Sequence, residues 1–187
     1  MSESLLLLDT SMWSGGLLDG DAALLACCAD PTLDVGCGPG RLAAALHCAG
    51  ITALGVDVSR HAVREARRRG ARVIRADVFG PVPAEGSWRT VLLADGNIGI
   101  GGDPVRLLRR CARLLADGGH VVAELSPPGE PSWRGPAVLR EDSRDSEPLP
   151  WATVPADQVA VVGGQAALCV RREWTEARRW FVELERP

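Results

Sequence analysis

Between Thr32 and Leu125 the chain alternates short apolar runs with longer helix-patterned segments, and no hairpin turn separates them. PTLDVG, ITALGVDV, ARVIRADV, WRTVLLADG and HVVAEL each read as a buried strand. PGRLAAALHCAG closes on Gly50, SRHAVREARRRG opens on the N-cap candidate Ser59 and stops at Gly70. DPVRLLRRCARLLADGG opens on Asp103 and Pro104 and has Gly118 past its end. Parallel neighbours in a sheet need a crossover of roughly a dozen residues or more, whereas two suffice for antiparallel ones. The alternation therefore dictates an α/β fold, a doubly wound parallel sheet with helices on both faces. A further helix, GDAALLACCA, precedes the first strand.

After Leu125 the pattern changes. Residues 126–151 are rich in Pro and charge and read as a long loop with room for one short strand pair. PADQVAVV reads as a short helix. QAALCVRREW and RRWFVELE, separated by Thr175, Glu176 and Ala177, read as an antiparallel hairpin. No linker divides the chain, so one domain over residues 1–187 is expected.

Composition removes several chemistries. All 21 basic residues are Arg, and Tyr is absent, so a P-loop lysine, a Schiff-base lysine and a tyrosine base are excluded. The six cysteines form no CxxC pair and the three histidines are scattered, so no metal-ligand spacing is present. Reduced thiols and a cytoplasmic protein are expected. SESLLLLDT holds four leucines, no basic start and an early Asp9, which is too short for a signal peptide or a membrane span. A net charge of −3 with interleaved signs gives no basic face for nucleic acid, and RRRG reads as the cationic end of a helix.

Two glycine clusters compete for a ligand. LDVGCGPGR, Leu33–Arg41, lies between the first strand and its helix, where parallel sheets bind ligands. A dinucleotide fingerprint needs Gly or Ala at position 41, and Arg41 stands there. The second strand ends in Asp57 and Val58, a carboxylate able to accept both hydroxyls of a ribose. The third ends in Asp77 and Val78, where a carboxylate can accept from an adenine amino group. Such a residue after a strand is also an ordinary turn former. Three matching features at three successive strand ends favour the ligand reading.

LDVGCGPGR, GVDVS, ADVF and LLADGGHVVAEL together resemble the successive motifs of class I S-adenosylmethionine-dependent methyltransferases, from about Thr32 to Leu125. The resemblance implies a Rossmann-like, mostly parallel seven-stranded sheet of order 3-2-1-4-5-7-6, closed by the antiparallel hairpin. It implies S-adenosylmethionine as cofactor. Asp34 and the Gly36, Cys37, Gly38, Gly40 loop would surround its methionine part, Asp57 its ribose, and Asp77 with the Val78 amide its adenine.

The second cluster, VLLADGNIGIGGDP, then falls beside the sulfonium. Asp95 is the first candidate for contact with the cofactor's amino group or the substrate, and Asn97 for orienting an amine or hydroxyl. The two are the candidate catalytic residues. Both are also ordinary turn residues. Members of the family that methylate nucleic-acid bases often carry an aromatic in this loop, and ADGNIGIGG has none. Glu124 is a further candidate substrate contact, and His120 reads as structural. Cover for the site must come from residues 12–20 and 126–151, with Trp13, Trp133 and Trp151 either packing or lining a pocket. The reading is methyl transfer to a small-molecule acceptor, with no nucleic-acid or membrane partner. Oligomeric state is open, a homodimer included. The alternatives are a protein that binds S-adenosylmethionine without methylating, or that runs another reaction in the same pocket. A nucleotide-dependent oxidoreductase is disfavoured by Arg41.

Overall fold

The computed structural model describes residues 5–9, 11–141 and 144–187; residues 1–4, 10, 142 and 143, which include part of the leucine-rich opening, lie outside the described residues. In chain order the elements are β1 (Leu6–Asp9), α1 (Asp21–Ala26), β2 (Thr32–Val35), α2 (Arg41–Cys48), β3 (Ala53–Asp57), α3 (Arg60–Arg68) and β4 (Val73–Arg75). They continue as β5 (Trp88–Leu93), α4 (Pro104–Leu114), β6 (Leu115–Leu125), β7 (Trp133–Glu141), β8 (Arg144–Asp145), β9 (Leu149–Thr153), α5 (Val159–Gln165), β10 (Cys169–Glu176) and β11 (Arg179–Glu185).

Seven strands form the central sheet in the order β10-β11-β6-β5-β2-β3-β4. Pairs from β4 to β6 are parallel, and β11 runs antiparallel to both neighbours. Numbered among themselves along the chain, these strands follow the order 3-2-1-4-5-7-6 that the resemblance implied. Side chains alternate across the sheet, so successive residues feed opposite cores. Val91 and Leu93 join Leu33 and Val35 on one side, while Leu92 and Val122 join Leu24, Leu46 and Phe181 on the other. β2, at the centre, is buried throughout.

Two expectations are corrected. The helix read to run on toward Gly118 ends at Leu114, because the next residue is already extended and pairs with Trp88. Residues 126–151 are not a long loop with one strand pair. They supply β7, β8 and the start of β9, which with β1 make a separate four-stranded sheet. β1 lies parallel to β7, Leu6 opposite Ala137, and β9 lies antiparallel to it. Pro136 and Pro150 fall opposite each other, so the two residues without a donor interrupt the ladder at one position only.

This accessory sheet packs on the loop after β5. Gly99 faces the backbone of β9 so closely that a Cβ there would overlap the Ala152 carbonyl. Among the described residues no helix is long and apolar enough to cross a membrane, and no group of three or more His, Cys, Asp or Glu is placed to hold a metal.

Candidate functional site

The C-terminal ends of β2, β3 and β5 converge on two adjoining depressions. The smaller is the more polar of the two and is lined by Trp13, Asp34, the Gly36–Gly38 loop, Arg41, Leu42, Ala94, Asp95 and Asn97. The larger is mostly apolar. Val56, Asp57, Val58, Asp77 and Val78 form one wall, and Trp13, Leu139, Leu149 and Trp151 form the other. The accessory sheet is thus a wall of this second depression. Trp133 lies outside both, beside Gly135. His120 is buried, with its Nε2 against the Cys27 carbonyl at 2.9 Å, which is structural as read.

The glycines of the first cluster divide the work. Gly36 has a φ of 71°, and a Cβ there would meet Asn97 Nδ2 at 2.8 Å, so it permits close approach of the neighbouring loop. Gly38 has open space before it. Gly40 instead lets α2 approach α3, since a Cβ would meet that of Ala66 at 2.7 Å. The Cys37 thiol packs against Gly55, and burial pushes its pKa up, so it is an inert filler rather than a nucleophile.

Each carboxylate has a distinct environment. Asp57 accepts from the Gly38 amide at 2.9 Å and the Ser59 amide at 2.8 Å. Burial raises its pKa while these amides pull it back. Asp77 is exposed and accepts from the Phe79 amide at 2.9 Å, the turn-forming geometry, while remaining on the pocket wall. Asp34 is 2% exposed, and its Oδ2 has no partner. Burial, with Asp95 and Asp57 adding repulsion, pushes its pKa up to about 7.

Asp95 and Gly96 are both left-handed, with φ of 52° and 77°; glycine takes this freely, whereas Asp95 is held in a strained conformation of the kind that concentrates at working sites. The strain is held from two sides. The Asp95 amide donates to Glu124 Oε2 at 2.8 Å, and its carboxylate takes Arg41 Nη2 at 2.6 and 2.7 Å. Burial still raises its pKa, against the pull of Arg41. Asn97 Nδ2 donates to the carbonyls of Val35 and Gly36 at 2.9 and 3.0 Å, so this amide fixes the first glycine loop from the second.

Sequence reasoning missed Arg41, Arg179 and Asp21. Arg41 is 5% exposed and bonds Asp21 as well as Asp95, leaving its Nε without a partner. Arg179 joins Asp21, Glu124 and Asp95 from the far end of the chain. One signal was available: a cation in the first turn of a helix opposes the macrodipole, so Arg41 needed acidic partners.

The family model described as a methyltransferase domain matches residues 32–119. Those residues, just under half of the chain, are similar to a methyltransferase domain. The chain's class I fold is shared with solved structures. A SAM-dependent methyltransferase from Bacteroides fragilis, crystallised with S-adenosylhomocysteine, superposes with a TM-score of 0.72 at 20% identity, covering 88% of this chain and 76% of that one. The glycopeptide N-methyltransferase MtfA with S-adenosylmethionine gives 0.68 at 15% identity, covering 90% and 95%. The O-methyltransferase NcsB1 from neocarzinostatin biosynthesis, with S-adenosylhomocysteine and 1,4-dihydroxy-2-naphthoic acid, gives 0.66 at 22% identity, covering 90% and 53%. An uncharacterised Mycobacterium tuberculosis protein is 38% identical over 112 residues, 60% of this chain. The chain spans 37% of the length of that relative.

The two depressions have donors and acceptors that fit an S-adenosylmethionine molecule. Two residues that line the smaller depression each hold a buried polar atom without a partner, the acceptor Asp34 Oδ2 and the donor Arg41 Nε. An α-amino acid group supplies the missing ammonium and carboxylate. The adjoining apolar slot, with Asp57 on its wall, suits an adenosine.

Proposed function

We propose that this domain transfers a methyl group from S-adenosylmethionine to a small-molecule acceptor. The unmatched Asp34 Oδ2 and Arg41 Nε, on two residues that line one depression, carry the reading, because two buried unpaired polar groups of opposite need are costly unless a ligand satisfies them. The bound cofactor supplies an already activated methyl on sulfur. The protein's part is to bind, align and exclude water.

In this reading Asp34 and Arg41 hold the methionine end, with the Gly36, Cys37 and Gly38 backbone along it. Asp57 takes the ribose hydroxyls. Asp77 and Val78 face the adenine, and Gly40 serves only the packing of the loop. Asp95 borders the methyl position and is the group available to a proton on the acceptor, while Asn97 keeps the two loops in register. The accessory sheet shields the site through Trp151, and the short segment with Trp13 closes the junction of the two depressions. This shallow cover favours a small acceptor over a polymer. A single domain spanning residues 1–187, acting in the cytoplasm, completes the reading.

Calorimetric titration with S-adenosylmethionine, S-adenosylhomocysteine and NAD tests it. The first two should bind and NAD should not; binding of NAD alone overturns the reading. Trp13 and Trp151 line the slot, so S-adenosylhomocysteine should quench tryptophan emission along the same isotherm. Firm binding with no S-adenosylhomocysteine formed over a broad acceptor panel would assign the chain to non-methylating chemistry.

A further inference from the structure

β10 and β11 are joined by a tight turn whose two residues, Ala177 and Arg178, have φ of 51° and 61°, the left-handed pair of a short hairpin connection. The turn starts β11 at Arg179, beside the end of β6, where Phe181 pairs with Glu124. The Arg179 guanidinium lies over the Phe181 ring at 5.2 Å and is 16% exposed.

Every nitrogen of that guanidinium is engaged. Nε and Nη2 form a fork on Glu124, each at 2.8 Å. Nη1 reaches Asp21 Oδ1 at 2.8 Å and the Asp19 carbonyl at 3.0 Å, and Nη2 also reaches Asp95 Oδ1 at 3.4 Å. Glu124 in turn accepts the amide of Asp95, the strained residue that borders the polar depression. The hairpin tip is thereby tied to α1, to the end of β6 and to the loop after β5.

We propose that Arg179 is a positioning residue for the methionine end of the cofactor site. It holds Glu124 where that carboxylate can keep the Asp95 amide, and it balances the carboxylates that Arg41 alone cannot. Asp21, Asp95 and Glu124 share two guanidiniums. With Arg179 gone, Arg41 faces all three, and a buried carboxylate without its counter-ion repels its neighbours or takes a proton. The Asp95 loop then leaves its left-handed geometry and Arg41 Nε loses its aim. Nothing in this chain of contacts reaches the apolar slot.

The inference rests on the proposed cofactor, and the test separates the two. S-adenosylhomocysteine carries the amino acid group, whereas 5′-methylthioadenosine presents the same adenosine without it. Arg179→Ala should weaken S-adenosylhomocysteine about tenfold or more, while 5′-methylthioadenosine stays within about twofold of the parent protein. Arg179→Lys keeps a charge but not the fork, and should recover only part of the loss. If Arg179→Ala does not fold, Arg179→Lys serves, with a selective loss of at least about threefold expected. Unchanged affinity for S-adenosylhomocysteine, or equal loss for both ligands, overturns the positioning role. Failure of the parent protein to bind either ligand overturns the cofactor reading itself.

Discussion

Asp34→Asn is expected to make the ligand-free protein more heat-resistant above neutral pH and to abolish useful cofactor binding. The two effects share one cause. Asp34 sits fully buried at the end of β2 with one oxygen unpartnered, and its pKa is pushed up to about 7 by burial first and by Asp95 and Asp57 next. The folded state therefore keeps a proton that the unfolded chain releases near pH 4. Between about pH 4 and 7 the folded form binds more protons, so this group's contribution falls as pH rises and levels off above about 7. Asparagine has no such slope. Melting curves should converge for the two proteins at about pH 4 and below and separate by roughly 5 °C or more at pH 8, the variant higher. Its affinity for S-adenosylhomocysteine should drop by about a hundredfold, because a neutral amide cannot match the ammonium of the amino acid. Equal melting at pH 8 would show that Asp34 is not strained by its charge. In the parent protein, binding at pH 6.5 should release protons, since the ligand's ammonium favours the ionised carboxylate.

The second large effect is expected at Gly99, far less conspicuous than the glycines of the first cluster. A methyl group there overlaps the Ala152 carbonyl and comes within 2.9 Å of Trp151 Nε1, so β9 must move. Overpacking of this kind costs about 1–3 kcal/mol. The displaced strand also carries Trp151, a wall of the apolar slot. Gly99→Ala should therefore weaken 5′-methylthioadenosine and S-adenosylhomocysteine together, unlike the selective loss expected at Arg179. Gly164→Ala, which meets nothing within 4 Å inside α5, is the control and should be neutral or stabilising by up to about 1 kcal/mol. Unimpaired binding of 5′-methylthioadenosine by the Gly99 variant would detach the accessory sheet from the site.

The parallel core was legible because its rule is local. A buried strand, a crossover helix and a capping glycine occupy consecutive residues, and β2, α2, β3, α3 and β4 follow in that manner. The carboxylates at the strand ends were legible for the same reason, since Asp34, Asp57 and Asp77 sit where sheet geometry puts ligands. The accessory sheet was not, because β1 and β7 are brought together across most of the chain and Pro136 and Pro150 disguise two strands as loop. The ion-pair ring was equally hidden. Arg41 read only as a departure from a dinucleotide loop, and Arg179 as one of several arginines in a hairpin. Their roles come from partners on other elements, which no periodicity announces.

That ring constrains how such a sequence can drift. Asp21, Arg41, Asp95, Glu124 and Arg179 come from five separate segments, yet neither arginine can be lost alone without leaving a buried carboxylate unmatched. A small residue at position 41 is tolerable only if Asp21 or Asp95 becomes neutral as well, and loss of Arg179 calls for loss of Glu124. Descendants of this chain should therefore lose a carboxylate of the ring before, or together with, either arginine and not after it.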